Sequence, residues 1–303
     1  MCGLCGFTGE IIDRDAVLEN MTEVITHRGP DSKGFYTDDK ISMGFRRLSI
    51  IDLDNGSQPI YNEDKTLVLM FNGEIYNYKQ LRKELQEKGH VFATDTDSEV
   101  LVHGFEEWRE DLLNRLRGMF GFAIWNRTDE SLFIARDFFG IKPMHYTQVG
   151  GHFLYASEIK SILKFPGFEK KFNYRTLDNY LSFQYAVPPE TFFEGVYCLL
   201  PGHYLWYRDG KAETTRYWEA RFNPDESLTE EQAVDEIEKV FEESVNAHKI
   251  SDVEVGCFLS SGVDSSYVST YFADQKTFTV GFDFGEKYNE ISWAERLSKK
   301  IGV

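Results

Sequence analysis

The sequence places a cysteine directly after Met1, in the stretch Met1-Cys2-Gly3-Leu4-Cys5-Gly6. If Met1 is removed, Cys2 carries a thiol and a free α-amine on the same Cα. An α-amine titrates near pH ~8, so at neutral pH it can accept the thiol proton. Residue 2 would then be a nucleophile with its own base. Cys2 and Cys5 also form a C-x-x-C, which is typical of a redox pair, half of a metal site or two small core residues. The stretch alone leaves these readings open.

Three further segments carry groups that suit amide chemistry. Arg47, at the edge of an apolar strand, can hold a carboxylate by two parallel hydrogen bonds, although a solvated arginine is the simpler interpretation. Asn72-Gly73 offers a side-chain amide and an unobstructed N–H, the two donors that an oxyanion hole needs. Asn-Gly is also a common turn dipeptide. Asp97 can receive an ammonium group, and either it or Ser98 is a plausible helix N-cap.

A serine- and glycine-rich loop at 260–266 follows a predicted strand and precedes a predicted helix. Such a loop presents backbone N–H groups and hydroxyls to an anion, assisted by the helix dipole. It is not a Walker A loop, because G-x-x-x-x-G-K is absent. The segment therefore predicts a phosphate site, with a plain strand-to-helix turn as the alternative.

The apolar pattern predicts the elements that would position these groups. Strands are predicted at 3–12, 67–71, 119–125, 131–135, 144–149 and 152–156, a β-rich stretch at 34–51, and helices at 15–26, 76–88, 97–116 and 157–164. Gly150-Gly151 predicts a two-residue hairpin turn. Short strands around few helices then continue to about residue 210.

The pattern changes after a polar linker at 223–229. Thr229 and Gln232 have capping-box spacing and predict a helix to about Lys249. Strand 253–259, the serine-rich loop, a helix and strand 277–282 follow, an alternation that implies a parallel sheet. We therefore predict two domains with a boundary near 210–225. Because the sequence stops within this alternation, we expect a truncated chain or a second domain that is only a remnant.

Composition narrows the classes of function. The chain has 303 residues, which suggests two domains, and its formal net charge is -17. Such an acidic chain is a poor partner for nucleic acid or an anionic membrane. Its four cysteines are too scattered for a disulfide framework, which favours a reducing cytoplasm. No N-terminal signal pattern and no apolar run of about 18 residues is present, so we expect a soluble cytoplasmic protein without a membrane span.

Taken together, these residues resemble the class II (N-terminal-nucleophile) glutamine amidotransferases and, within them, the glutamine-hydrolysing asparagine synthetases. The blocks that carry the resemblance occur in the family's order: Cys2-Gly3, His27-Arg28-Gly29-Pro30-Asp31, Arg47-Leu48-Ser49-Ile50, Asn72-Gly73-Glu74-Ile75-Tyr76-Asn77, Asp97-Ser98-Glu99, Gly118-Met119-Phe120, Arg136-Asp137, Gly140-Ile141-Lys142-Pro143, Ala156-Ser157-Glu158 and Pro201-Gly202-His203. The loop at 260–266 is similar to the S-G-G-x-D-S-S pyrophosphate loop of ATP pyrophosphatases, with Ser261 in place of the first glycine. Met144-His145 stands where Leu-Tyr is usual.

The resemblance implies a fold and a domain division. Residues 1–215 would form the glutaminase domain, an α+β four-layer αββα sandwich of two antiparallel sheets between helices. Residues 216–303 would be the incomplete start of an α/β parallel-sheet domain of the ATP-pyrophosphatase (adenine nucleotide alpha hydrolase-like) kind.

The resemblance also implies residue roles. Cys2 would be the nucleophile and its α-amine the base, with Asn72 and the Gly73 N–H as the oxyanion hole. Arg47 would hold the α-carboxylate of glutamine and Asp97 its α-ammonium. The glutamine pocket would be completed by backbone groups of Leu48, Ile50 and Glu74. The adenine of ATP would be read by the backbone of Leu259 and Val280, and pyrophosphate with Mg²⁺ would be held by Ser260, Gly262, Asp264, Ser265 and Ser266. We assign no protein side chains to a resident metal.

The implied reaction has two halves. Glutamine is hydrolysed to glutamate and ammonia, and ATP adenylates aspartate so that ammonia can displace AMP and give asparagine. Ammonia would travel through a dry passage, for which the apolar strands 119–125 and 131–135 are candidate walls. An acceptor other than aspartate, such as a peptide or saccharide carboxylate, is the first alternative. A C-x-x-C metal or redox module is the second, and a homodimer is left open.

Overall fold

The computed structural model describes residues 1–53, 55–260, 262–272, 275–282, 285 and 289–303. The chain divides into two compact units, Met1–Arg221 and Phe222–Val303.

The first unit is built mainly from β-strands. Its strands are β1 (Gly3–Thr8), β2 (Ser32–Thr37), β3 (Ile41–Arg47), β4 (Ile60–Tyr61), β5 (Leu67–Ile75), β6 (Gly118–Asn126), β7 (Ser131–Arg136), β8 (His145–Val149), β9 (His152–Ala156), β10 (Tyr197–Cys198), β11 (His203–Arg208) and β12 (Lys211–Arg216). Its helices are α1 (Arg14–Glu23), α2 (Tyr78–Glu87), α3 (Glu99–Trp108), α4 (Ile159–Ile162) and α5 (Tyr174–Phe183), with 3-10 turns at Thr26–Arg28 and Arg109–Asn114.

These strands form two antiparallel sheets. The first has the order β10-β8-β9-β1-β3-β2, and the second has the order β12-β11-β7-β6-β5-β4. The strand that follows Cys2, β1, lies in the interior of the first sheet, paired with β3 on one side and β9 on the other. The strand that carries Asn72 and Gly73, β5, is paired along its whole length with β6.

The two sheets face each other across one apolar core. Leu4, Met43 and Phe45 from the first sheet belong to the same buried cluster as Met70 and Ala123 from the second. On the other face of the first sheet, a second cluster is formed with α1 and α4; it contains Cys5, Phe7, Leu18, Met21 and Ile162. Because strand side chains alternate between faces, β1 is buried on both sides.

Helices cover the outer face of the second sheet as well. The ring of Phe105 in α3 lies 4.8 Å from that of Phe133 in β7. The order of layers is therefore helix, sheet, sheet, helix, and the predicted αββα sandwich is confirmed.

The structure corrects several sequence-based boundaries. Asn72-Gly73 does not turn the chain, because pairing with β6 carries β5 on to Ile75. The helix predicted over 97–116 is broken after Trp108, where Arg109 takes a positive φ of 50° and a 3-10 turn follows. The helix α5 was not predicted. The turn at Gly150-Gly151 is confirmed, with φ values of 56° and 87°.

The second unit has less regular structure. It contains α6 (Glu230–Ala247), β13 (Cys257–Phe258), α7 (Val263–Thr270), β14 (Thr277–Phe278) and α8 (Ile291–Ile301). The capping box at Thr229 and Gln232 is confirmed, and β13 and β14 pair in parallel.

The strands of the second unit are much shorter than the predicted 253–259 and 277–282. Within the described residues, β13 and β14 pair only with each other. Neither strand has a second neighbouring strand to support the predicted length. The apolar side chains of α6 are also largely exposed; Val245 is buried, whereas Ile237 is 64% exposed. Across the described ranges, none of the helices combines the length and the apolar character that spanning a bilayer requires.

Gly44 in β3 gives a test of the packing between α1 and the first sheet. A Cβ at this position would overlap Thr22 Oγ1 of α1. We expect Gly44→Ala to lower the free energy of unfolding by about 1–3 kcal/mol, the usual cost of overpacking. Chemical denaturation followed by tryptophan fluorescence measures it.

Gly121→Ala is the matched control, in the buried strand β6. A Cβ there would meet its nearest neighbours at 3.5 Å, which is ordinary contact. This variant should be as stable as the wild type or up to about 1 kcal/mol more stable, because alanine restricts the unfolded chain. Equal effects of the two substitutions would contradict the packing argument.

Candidate active site

A cavity of about 230 Å³ opens beside the start of β1. Every residue that the sequence analysis predicted for glutamine hydrolysis lines it: Cys2, Arg47, Leu48, Ile50, Asn72, Gly73, Glu74 and Asp97. The other lining residues are Met1, Ile51, Gly56, Gln58, Phe71, Thr96, Ser98, Met119, Ile141 and Lys142. The cavity therefore brings together segments that are far apart in the sequence.

Cys2 is held at the end of β1 by Arg28. The Arg28 Nε donates a hydrogen bond of 2.8 Å to the Cys2 carbonyl oxygen, and Arg28 Nη1 donates one of 3.0 Å to Glu158. Partial burial would raise the pKa of Glu158, but hydrogen bonds from Lys160, Arg28 and His27 lower it to about 2. The carboxylate that supports Arg28 is thus ionised at neutral pH.

The Cys2 thiol faces the loop that follows β3. The amide N–H of Leu48 points at Cys2 Sγ over 3.3 Å, and the Leu48 carbonyl lies 3.5 Å from the same sulfur. Burial raises the pKa of this thiol, while the Leu48 hydrogen bond and the positive charges of Arg47 and Lys142 oppose the rise. A base close to the sulfur is therefore needed to form the thiolate.

Asn72 presents a side-chain amide that is not engaged by the protein. Its side chain is 1% exposed, and neither Nδ2 nor Oδ1 has a hydrogen-bond partner among the described residues. Buried amides are nearly always paired, so an orphan that lines a cavity is ready for a ligand. At the next position, a Cβ on Gly73 would overlap the carbonyl oxygen of Met119 in β6. The glycine is thus required by the close approach of two strands, and not by a turn.

Asp97 lines the cavity from the segment just before α3 and is buried. Its Oδ2 accepts a hydrogen bond of 2.8 Å from the Ile75 N–H. Burial raises the pKa of Asp97 to about 7; the Ile75 hydrogen bond opposes this and the Glu74 carboxylate adds to it. Ser98 occupies the N-cap position of α3, as predicted, but its side chain makes no capping hydrogen bond.

Arg47 ends β3 and is 6% exposed. Its Nη1 donates to the Leu53 carbonyl over 3.1 Å, and its Nη2 donates to the carbonyls of Asp52 and Ile51 over 2.6 and 3.2 Å. The arginine is therefore not solvated, which excludes the simpler interpretation. A buried guanidinium with this geometry fixes the loop and leaves positive charge at the cavity wall.

Lys142 is a residue that sequence reasoning did not assign. It is 3% exposed and lines the cavity beside residues 1 and 2, with Nζ 3.4 Å from Met1 Sδ. Burial lowers the pKa of Lys142, whereas the charges of Glu74 and Cys2 raise it. The Gly140-Ile141-Lys142-Pro143 block was part of the resemblance. The position of Lys142 between Ile141 and Pro143 was the signal that could have identified this lysine as a site residue.

The second unit places its serine-rich loop between β13 and α7. Gly262 is the N-cap of α7 in extended conformation, and its N–H donates to Ser260 Oγ over 3.1 Å. Ser260 Oγ lies 2.8 Å from Ser265 Oγ, so these two hydroxyls bond to each other. Ser261 lies outside the described residues. Asp264 and Ser266 are in the first turn of α7, where an anion would be favoured.

The two residues predicted to read adenine differ in availability. The Leu259 N–H already donates to the Phe278 carbonyl over 2.9 Å, and the Leu259 carbonyl accepts from Thr279 Oγ1 over 2.7 Å. Only a second lone pair on that carbonyl is left for a ligand. Val280 is 68% exposed.

The C-x-x-C does not form a site. Cys5 is completely buried beneath α1, with its sulfur 3.5 Å from Thr22 Oγ1, and burial raises its pKa to about 12. Cys2 packs at the edge of the core between the sheets, on the other face of the strand. The two sulfurs therefore act in different environments.

Comparison with known families divides the chain in two. Residues 1–218 match the family described as "Glutamine amidotransferase domain", and residues 236–303 match the family described as "Asparagine synthase".

Curated relatives extend these matches. Asparagine synthetase [glutamine-hydrolyzing] 1 of Bacillus subtilis (strain 168) is 40% identical over 99% of this chain and 49% of that protein. Amidase chyE of Penicillium rubens is 33% identical over 98% of this chain and 46% of its own length. The chain spans about half the length of the curated relatives that it matches.

Solved structures share the fold at low sequence identity. Glutamine phosphoribosylpyrophosphate amidotransferase from B. subtilis, complexed with ADP and GMP, superposes with a TM-score of 0.53 at 16% identity, covering 100% of this chain and 70% of that one. The structure titled as the allosteric regulatory enzyme of purine biosynthesis gives a TM-score of 0.54 at 16% identity, over 94% and 67%.

The unengaged amide of Asn72 should carry a stability cost. We expect Asn72→Leu to raise the free energy of unfolding by on the order of 1 kcal/mol, because it removes a buried polar group without partners. Asn62→Leu is the matched control: Asn62 is also buried, but it bonds to Thr66, Glu106 and the Leu67 N–H. That change should destabilise by about 1–3 kcal/mol. Similar losses in both variants, measured by denaturation, would contradict an unpaired Asn72.

Proposed function

Because the chain belongs to the glutamine amidotransferase family, we propose that its residues 1–215 hydrolyse glutamine and that residues 216–303 begin the domain that uses the ammonia. One observation carries the proposal: a nucleophile, an unengaged amide, a buried cation and a buried acid meet at one cavity. These are Cys2, Asn72, Arg47 and Asp97.

The pocket's charges suit a free amino acid. Arg47 would bind the α-carboxylate of glutamine and Asp97 its α-ammonium, so the side-chain amide is directed toward Cys2. Backbone groups of Leu48, Ile50 and Glu74 would complete the pocket. Opposite charges on Arg47 and on ionised Asp97 select an α-amino acid over a simple amide.

The hydrolysis proceeds in two steps. The α-amine of Cys2 takes the thiol proton, and the sulfur attacks the amide carbon of glutamine. Asn72 Nδ2 and the Gly73 N–H donate to the oxyanion that forms. The same amine returns the proton to the leaving nitrogen, releasing ammonia and leaving a γ-glutamyl thioester. Water then attacks the thioester, which frees glutamate and the thiol.

Removal of Met1 is part of this mechanism. While Met1 is attached, the nitrogen of Cys2 is an amide and cannot act as a base. Met1 also lines the cavity that glutamine would enter. The Lys142 ammonium, close to residues 1 and 2, would then favour the Cys2 thiolate by its charge.

The second half of the reaction needs ATP. We infer that Ser260, Gly262, Asp264, Ser265 and Ser266 hold the pyrophosphate part of ATP. The first N–H groups of α7, which have no partner within the helix itself, and the loop hydroxyls fit an anion. Asp264 in the first turn of α7 would supply an oxygen ligand for Mg²⁺, and the ion would shield the phosphate charges. Leu259 and Val280 would contact adenine through their backbone.

Aspartate is the proposed acceptor. Adenylation of its side-chain carboxylate by ATP releases pyrophosphate, and attack by ammonia gives asparagine and AMP. The names of several relatives, asparagine synthetases, support this acceptor. Two other relatives are named amidases, so an acceptor with a different carboxylate is kept as the second candidate. A reducing cytoplasm would keep Cys2 as a thiol. We also propose that the protein could form a homodimer, which a measurement of its molecular mass in solution would test.

The nucleophile can be tested in the chain as it stands. We expect the chain without Met1 to release glutamate from glutamine, and Cys2→Ala to abolish this release because Cys2 supplies the only thiol among the described residues that line the cavity. Circular dichroism and thermal unfolding should match the wild type. Mass spectrometry establishes whether Met1 is present in each sample.

Cys198→Ala provides the matched control, since Cys198 is also half-buried but does not line the cavity. It should keep wild-type glutaminase activity. Release of glutamate by Cys2→Ala at the wild-type rate would overturn the assignment.

Glutamine binding should depend on pH through Asp97. Its pKa of about 7 in the empty pocket means that the carboxylate must lose a proton before it can pair with the α-ammonium. Affinity should therefore weaken about tenfold per pH unit below 7 and level off above it, as measured by calorimetry on Cys2→Ala, which cannot turn over.

Asp97→Asn is the control for this linkage. It should bind glutamine weakly and with little pH dependence between pH 5.5 and about 8. A wild-type-like pH profile in Asp97→Asn would assign the titration to another group.

A further inference from the structure

A cluster of two imidazoles and two carboxylates lies in the first unit, outside the residues that line the catalytic cavity. Glu63 follows β4, His90 follows α2, and His103 and Glu106 lie one turn apart on α3. The potential ligand atoms of these four residues all lie within 4.8 Å of one another. We call them the His90–His103 cluster.

Both histidines turn the same ring nitrogen toward the centre of the cluster. Nδ1 of His90 lies 3.2 Å from Glu63 Oε1, and Nδ1 of His103 lies 3.2 Å from Glu63 Oε2. Their Nε2 atoms are directed to outer carboxylates, His103 to Glu99 at 3.2 Å and His90 to Glu107 at 3.7 Å. An imidazole whose far nitrogen donates to a carboxylate is the usual arrangement around a bound metal.

The carboxylates of the cluster are oriented in the same way. Glu106 Oε2 accepts a hydrogen bond of 3.0 Å from Nδ2 of Asn62, which is itself buried. Glu63 Oε1 accepts one of 2.8 Å from the Val91 N–H. Each of the four residues therefore has an outer partner that fixes it while another of its atoms remains for the centre.

His103 supplies an independent observation. Its side chain is fully buried, yet Nδ1 has no aligned hydrogen-bond partner in the part of the chain that the structure describes. The nearby Glu63 oxygen at 3.2 Å is close in distance but poorly aligned for a hydrogen bond. A buried nitrogen with an unused lone pair, held by Glu99 on its other side, points to a missing ligand.

We propose that this cluster is a divalent-metal site, with Zn²⁺ as the best-matched ion and with Glu63, His90, His103 and Glu106 as its ligands. Nitrogen and oxygen ligands of tetrahedral Zn²⁺ lie about 2.0–2.1 Å from the ion, so they are about 3.3 Å from each other. The 3.2 Å between His103 Nδ1 and Glu63 Oε2 fits this geometry. The other pairs, which lie up to 4.8 Å apart, would draw together around the ion by side-chain movement. The excess of carboxylates around the imidazoles favours a cation.

The site is structural. Four protein ligands leave no open position for substrate, which is typical of structural zinc. The ion would join the turn after β4 to the loop after α2 and to α3. It would also hold His103 against Glu99, whose carboxylate accepts the N–H groups of Ala93 and Thr94.

The test uses the whole chain, stripped of metal by a chelator and then titrated with Zn²⁺ against a chromophoric chelator. We expect one equivalent to bind, the thermal midpoint to rise, and amide exchange at residues 90–99 to slow. The double variant His90→Gln/Glu106→Gln should lose at least 100-fold in affinity. Glu107→Gln, which removes only an outer partner, should lose about 10- to 100-fold.

Two controls separate this site from others. His248→Gln/Glu87→Gln changes the same residue types at two exposed positions, the C-cap of α6 and the last residue of α2, and should bind Zn²⁺ like the wild type. Because Cys2 could also bind zinc, Co²⁺ is used as a spectroscopic probe; its spectrum should lack thiolate-to-metal charge transfer.

Retention of wild-type Zn²⁺ affinity by His90→Gln/Glu106→Gln would overturn the proposal, as would a Co²⁺ spectrum with thiolate bands or a wild type that binds no Zn²⁺. Both replaced side chains are at least partly exposed, and circular dichroism of the metal-free variant verifies its fold. If the double variant does not fold, the single variant Glu106→Gln is titrated in its place and should show the same loss of Zn²⁺ affinity.

Discussion

The hydrogen bond that Arg28 donates to the Cys2 carbonyl is the constraint on which the catalytic cavity depends. The first residues of most proteins are poorly ordered unless something fixes them. Here β1 pairs on both sides, and Arg28 holds the residue just before it. Gly3 is part of this arrangement, since a Cβ there would already lie 3.1 Å from Arg28 Cδ. With residue 2 fixed, the loop after β3 and the end of β5 can be arranged around it.

Much of the first unit could be predicted from its sequence because its local signals agree with its tertiary structure. The apolar run at 67–71 indicates a buried strand, and the diglycine at 150–151 indicates a hairpin turn; each signal lies within a few residues. Asn72-Gly73 could not be interpreted in this way. Its local preference is a turn, but pairing with β6 prevails, and only a structure shows that partner. In the second unit the predicted strands are short because, in the described ranges, neighbouring strands that would cover them are lacking.

The candidate site shows the same division. The chemical roles of Cys2, Arg47, Asn72 and Asp97 could be predicted from the sequence, because each residue type has a specific use in amide chemistry. Their closeness was not, since it results from the packing of two sheets and the loop after β3. The His90–His103 cluster was missed because only His103 and Glu106 have a helical spacing, and the other ligands come from loops.

The opposite orientation of Cys2 and Cys5 has a consequence for oxidation. A disulfide needs Cβ atoms about 3.8 Å apart, whereas these side chains leave β1 toward different faces, one of them beneath α1. Oxidised Cys2 thus has no resolving thiol on its own strand. Cys5 therefore cannot resolve a sulfenic acid at Cys2, and a small thiol from solution would restore it before further oxidation to the sulfinic acid. Recovery from oxidative damage would then depend on the thiol pool around the protein and not on its own second cysteine.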